Sequence, residues 1–143
     1  MKRHLLVDTL GLVWVAVVHS AAVQDRAGAR LVLATAKLQH EWPRMARVWV
    51  DGGYESGYLA GLARALLRWT WDVVRRVGDG FRVLPKRWVV ERTFGWLMNY
   101  RRLCRHYEYH DDTGVALIHV AMTHLMVRRL RPAGRRRSRY TSG

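Results

Sequence analysis

Two carboxylates and a crowd of arginines carry the chemistry this sequence can offer. Asp51 closes the short apolar run Arg47 to Val50 and is followed at once by Gly52-Gly53. An acid at the C-terminal end of a strand, before a glycine turn and a helix, stands where α/β folds place reactive groups. Asp-Gly is also an ordinary turn, so spacing alone leaves both readings of Asp51 open. Glu91 is the single acid in the stretch PKRWVVERTFGWLMNYRRLCR, residues 85–105. Arg87 lies one turn before it and Arg92 beside it, while Lys86, Arg101, Arg102 and Arg105 flank the ends. One reading is a salt-bridged glutamate on a helix with a solvated basic rim. The other is a metal-ligand glutamate beside a phosphate-binding surface, because hard divalent cations take oxygen ligands and arginines take phosphates.

Elements must bring these residues together. Trp88, Val89, Val90, Phe94, Trp96, Leu97 and Tyr100 recur at helical spacing around Glu91 and predict an amphipathic helix that starts near Lys86 or Arg87. Gly95, one turn after Glu91, costs such a helix about 1 kcal/mol relative to alanine, which predicts a close approach there. Upstream, His4 to Val7 and Leu12 to Val18 read as two strands joined through Asp8-Thr9-Leu10-Gly11, an antiparallel hairpin. Asp8 fits a turn residue accepting backbone hydrogen bonds better than an active-site acid. Asp25 to Leu38 reads as a helix with Ala27, Leu31, Leu33, Ala34 and Leu38 inward. Ser56 is a natural N-cap for a helix over Gly57 to Leu67, and Trp69 to Val74 follows as a strand. A basic connection over Arg75 to Gly80 leads to an extended Phe81 to Leu84. A last helix spans about Thr113 to Arg129, with Val115, Ile118, Ala121, Met122, Leu125 and Met126 inward. The tail RPAGRRRSRYTSG, residues 131–143, lacks an apolar pattern and reads as disordered.

Composition narrows the partner. The 143 residues fit one domain and half are hydrophobic, so a core is expected. Lysine and arginine number 25 against 11 acids, a formal charge of +14. That balance favours a polyanion, through counterion release from phosphates. Nucleic acid suits it better than a membrane, since the charge is spread along the chain. The sole cysteine, Cys104, excludes an intramolecular disulfide and a multi-cysteine zinc site, fits a reducing cytoplasm, and reads as a packing residue. Met1-Lys2-Arg3 followed by an apolar run imitates a secretory leader, but Asp8 and Gly11 interrupt it and a hairpin explains the pattern better. There is no internal repeat and no phosphate-binding glycine loop.

Three blocks, in order, resemble the DDE transposases of the group named after insertion sequence five. They are KRHLLVDTLGL from Lys2, VWVDGGYESGYL from Val48, and LPKRWVVERTFGWLMNYRRLCRHYE from Leu84. The resemblance implies an α/β, ribonuclease H-like mixed sheet with flanking helices, spanning residues 1–130 and lacking its first strand. It implies Asp51 and Glu91 as the second and third catalytic, metal-binding acids, with two Mg²⁺ (or Mn²⁺) ions in the complete site. Arg87 matches the family's arginine, and Lys86, Arg92, Arg101, Arg102 and Arg105 become DNA-contact candidates. Two positions depart from the pattern: Leu84 stands where the family has tyrosine, and Met98 where it has lysine. The first acid belongs on a strand upstream of Lys2.

The expectation is therefore a C-terminal transposase segment that performs DNA cleavage and strand transfer only when an upstream segment completes it. The isolated chain is expected to show little activity. Its partners would be transposon ends and target DNA, that upstream segment, and a second copy in a homodimer. Its place would be the bacterial cytoplasm, at the nucleoid, without membrane contact. The alternative is a non-enzymatic basic DNA- or RNA-binding remnant, or an inhibitor of the full-length transposase.

Overall fold

A computed structural model describes residues 1–39, 42–75, 87–105 and 110–130, with Arg87 described in its backbone only. The expected extended segment at Phe81 to Leu84, the basic connection from residue 76 onward, Lys86 and the tail at 131–143 lie outside the described residues. Ten elements follow in order. Strands β1 (Lys2–Val7) and β2 (Val13–His19) precede helix α1 (Asp25–Gln39). Strand β3 (Arg47–Asp51) runs into a 3-10 turn (Gly52–Tyr54), then helix α2 (Gly57–Leu67) and strand β4 (Thr70–Val74). Helices α3 (Arg87–Met98), α4 (Arg101–Cys104) and α5 (Asp111–Leu130) complete the described chain.

The strands form two separate pairs. β1 and β2 make the expected antiparallel hairpin, with a register shift between Leu6 and Val7. Its turn is held by Asp8, whose Oδ1 accepts from the backbone of Leu10 at 2.8 Å and Leu12 at 2.9 Å. Gly11 closes the turn at φ +81°, a left-handed conformation that glycine takes without a Cβ penalty. β3 and β4 pair in parallel, Trp49 opposite Asp72 and Asp51 opposite Val74. The crossover between them is α2. Ser56 caps it by accepting from Leu59 N, as expected. Its C-terminal end carries Arg68 at φ 60°, so a side chain other than glycine occupies a left-handed cap.

Side-chain alternation along the hairpin divides the interior into two cores. Leu6 and Val15 join Ala29, Leu33 and Ala36 of α1, Val48 of β3, Leu59 and Ala63 of α2, and Trp69. The opposite face gives Ala16 and Val18 to Leu97, Leu103, Ile118, Ala121 and Met122, that is, to α3, α4 and α5. α5 packs on β2 at Gly114, where an added Cβ would meet Val18 Cγ2 at 3.4 Å, an ordinary contact.

Four expectations change. In α1 the buried side is Ala29, Leu33 and Ala36, whereas Leu31 and Leu38 are exposed. Alanine at helical spacing offers an equally good apolar stripe, and contact with the hairpin chooses it. The stretch after Met98 does not continue as one helix. The chain breaks at Tyr100 (φ −96°, ψ 113°), whose hydroxyl reaches Ala121 O at 3.0 Å and His124 Nδ1 at 2.8 Å. Met126 is exposed rather than inward. Cys104 is exposed too, its thiol donating to the carbonyl of Met98.

Candidate functional site

Asp51 is the last residue of β3 and is exposed. It caps the turn that follows, Oδ1 accepting from Gly53 N at 2.7 Å. A Cβ at Gly53 would lie 3.1 Å from that oxygen, so glycine lets the carboxylate fold back over the turn. One carboxylate oxygen is thereby committed, and a carboxylate carries a second.

Glu91 lies on the exposed side of α3. The opposite side is anchored by Val89, Thr93 and Leu97, all buried. Thr93 is fully buried, and its hydroxyl donates to Gly11 O at 2.7 Å, with Val89 O at 3.0 Å. This bond pins α3 to the hairpin turn. α3 also packs against β1 and β3, so the elements that carry Asp51 and Glu91 touch. At Gly95, the expected point of close approach, no atom of the described residues outside its own helix backbone would come within 4 Å of an added Cβ.

The arginines divide into two kinds. Arg92 is half-buried and braced between two indoles, its guanidinium 4.3 Å from the Trp88 ring centre and 4.6 Å from that of Trp96. Its Nη2 donates to Leu10 O at 2.9 Å. Arg129 of α5 covers the same Trp96 ring at 4.4 Å. Such stacking is worth about 0.5–2 kcal/mol per contact, so Arg92 has a structural task. Arg101 and Arg102 in α4, and Arg105 just after it, are exposed. Arg87 opens α3, one turn ahead of Glu91.

A second cluster was not foreseen. His4 and His19 are both buried, with rings stacked at 4.8 Å. His4 Nδ1 pairs with Tyr54 Oη at 2.9 Å, which fastens the turn after Asp51 to β1. His19 Nδ1 faces Ser20 O at 2.8 Å. Both Nε2 atoms are buried, have no hydrogen-bond partner among the described residues, and face Gly28 of α1. Burial, then the neighbouring His19, holds His4 below its ordinary pKa. Burial pushes Tyr54 up to about 12, with Asp25 and Asp51 adding to the effect. Strand alternation puts His4 and Leu6 on one side, but only the hairpin register sets His19 diagonally across, so no local signal could have found the pair. Beside it, Lys2 bonds Asp25 at 3.0 Å and holds that carboxyl below its usual range. Lys2, Gln24, Asp25, Arg26 and Gly53 line an open cleft of about 300 Å³.

Asp51 and Glu91 are the hard oxygen donors that Mg²⁺ prefers. Among the described residues, however, no three His, Cys, Asp or Glu side chains are grouped to hold an ion. The donor chemistry fits, and the donor set is short of the three carboxylates the resemblance implies.

Among the described residues the chain is mixed α/β, with two small sheets and flanking helices, and Asp51 and Glu91 sit on elements that touch. The family described as Transposase DDE domain matches residues 1–126, and the chain belongs to that family. No curated protein and no solved structure matches it. Membership implies a transposase function and DNA partners, and the family generally uses divalent metals. Among the described residues no helix is long and apolar enough to cross a membrane.

Proposed function

We propose that this chain is the C-terminal part of a ribonuclease H-like transposase catalytic domain of the insertion sequence five group. An upstream segment completes it for cleavage and strand transfer at transposon ends. The contact of α3 with β3 carries this reading, because it sets Glu91 and Asp51 on adjoining elements. The strand pairing supports the missing piece. Among the described residues β1 pairs with β2 and β3 with β4, so each pair keeps an edge without a strand partner. Lys2 at the start of β1 and Gly53 just past β3 line one cleft, so these ends of the two strands are neighbours. A strand inserted between them would pair both edges and bring a third carboxylate toward Asp51.

Two Mg²⁺ (or Mn²⁺) ions about 3.5–4 Å apart supply nucleophile activation and charge neutralisation in such sites. Asp51 and Glu91 would hold them. Lys86, Arg87, Arg101, Arg102 and Arg105 would hold phosphates, and Arg92, braced between its indoles, would stiffen the helix that presents Glu91. A homodimer would present two such sites to paired ends.

The test is metal-dependent nicking of DNA carrying the element's ends, with this chain alone and with the product of the upstream reading frame. The expected result is no nicking by the chain alone. The completed pair should nick, and Asp51→Ala or Glu91→Ala should each cost about a hundredfold or more. Nicking by the isolated chain that falls on Asp51→Ala would overturn the fragment reading. Nicking by the completed pair that survives Asp51→Ala would overturn the site.

A non-enzymatic basic binder, or an inhibitor of the full-length enzyme, is the second reading. It is favoured by the absence of a three-acid cluster among the described residues and by the charge of +14. It predicts salt-sensitive DNA binding that Asp51→Asn and Glu91→Gln leave unchanged, and no nicking under any pairing.

A further inference from the structure

Helix α5 is apolar on two opposite sides. Ile118, Ala121 and Met122 are buried against the hairpin and the helices α3 and α4. Half a turn away, Thr113, Ala116, Val120, Thr123, Val127 and Leu130 run down the outer side, all exposed. Val120 is 65% exposed, Val127 58% and Leu130 82%. Their spacing alternates three and four residues, the repeat by which one helix seats against another. Thr113 lies at the end of this stripe, and the hydroxyl within its middle is already satisfied: Thr123 Oγ1 donates to His119 O at 2.9 Å. The methyl group of Thr123 therefore extends the apolar seam.

We propose that the outer face of α5 pairs antiparallel with the same face of a second copy of this chain. The charge on the helix selects that occupant and that direction. Asp111 and Asp112 occupy the first turn of α5, and Arg128 and Arg129 the last. An antiparallel pair lays the acidic end of each copy beside the basic end of the other, twice, about one two-fold axis. Parallel pairing would set like charges together at both ends. The helix macrodipoles favour the same direction. The middle of the stripe falls between Val120 and Thr123, so Val120 meets Thr123 of the second copy and Ala116 meets its Val127. A helix of 20 residues is about 30 Å long. One seam of that length buries on the order of 800 Å² in total, below the ~1,200 Å² of standard interfaces. The pair is therefore a weak, concentration-dependent dimer. It does not depend on the DNA chemistry proposed above.

Sedimentation equilibrium without DNA tests it. From about 5 to 300 µM, a range suited to an interface this small, the average mass should climb from the 16.7 kDa of one chain toward twice that value. Val120→Glu/Val127→Glu should stay at the single-chain mass, with an unchanged circular dichroism spectrum since both side chains are exposed. Direction is read by cysteine pairing in a Cys104→Ser background. Ala116→Cys/Val127→Cys should oxidise to a covalent dimer, while Ala116→Cys alone should not. A constant single-chain mass at the highest concentration overturns the proposal, as it would if the chain's own tail covered the face. Dimers that survive Val120→Glu/Val127→Glu, or that cross-link through Ala116→Cys alone, overturn it equally.

Discussion

Gly28→Ala sets two opposing effects against each other within one helix. Alanine is the better helix former by about 1 kcal/mol, so the change would stabilise α1 taken alone. The new Cβ has no room. It would sit 2.6 Å from His4 Cδ2 and 2.7 Å from His19 Nε2, and closer still to His4 Nε2. Both rings are 6% exposed and stacked on each other, and His4 is tied to Tyr54, so neither can swing aside cheaply. Relief must come from α1 moving off the hairpin, which loosens Ala29, Leu33 and Ala36 from the core they share with Leu6 and Val15. Overpacking of this kind costs about 1–3 kcal/mol and more where rings block the site. The net expectation is a loss of about 2 kcal/mol, or about 1 M in the urea midpoint at a slope near 2 kcal/mol/M. Gly61→Ala is the matched control. It lies in α2, where no atom of the described residues outside its own helix backbone comes within 4 Å of an added Cβ, so it should gain about 0.5–1 kcal/mol. Urea titrations followed by tryptophan fluorescence would give both midpoints. Should Gly28→Ala raise the midpoint as Gly61→Ala does, the packing of α1 on the histidine pair is wrong.

Other expectations follow from the same contacts. Thr93→Val keeps the shape but leaves Gly11 O without its donor, and should cost about 1–2 kcal/mol in the same titration. Arg68→Gly removes a left-handed side chain and should raise the midpoint by roughly 1 kcal/mol worth of stability. Stability should also fall in acid through His4. The unfolded chain takes up this proton near the ordinary value of 6.5, the folded chain only below it. Between the two the unfolded state binds more protons, so urea midpoints should drop as pH falls through 6.5, less so in His4→Gln. Tyr54 works in the opposite direction. Its phenol should escape titration at 295 nm until about pH 12 in the folded chain and return to its ordinary value of 10 after denaturation, a difference that Tyr54→Phe should remove.

Much of the scaffold was legible because its signals are local. Ser56 before an apolar run announces α2, and the structure returns Gly57–Leu67 with that cap. Asp8 and Gly11 announce the hairpin turn, and both serve it. Other features depend on distant neighbours. The inward side of α1 depends on which stripe meets the hairpin, and the break at Tyr100 depends on Ala121 and His124 across the core. Division of the strands into two pairs leaves no trace in composition. As for the candidate site, Asp51 was readable as an acid ending a strand. Its neighbour Tyr54, and the histidines that anchor Tyr54, surfaced only in three dimensions.

The hairpin is the wall between two rooms. Its odd and even residues furnish different cores, with His4 and Leu6 turned toward α1 and Ala16 and Val18 toward α5. A slip of one residue between β1 and β2 would turn over one strand's entire set of side chains. The strand's basic Arg3, which now reaches Leu103 O, would exchange places with the histidine that holds the turn after Asp51. Such an error would be penalised on both sides of the ribbon at once. Alignment of this hairpin is in effect doubly keyed: neither half of the molecule can assemble on a misaligned ribbon without the other half rejecting it.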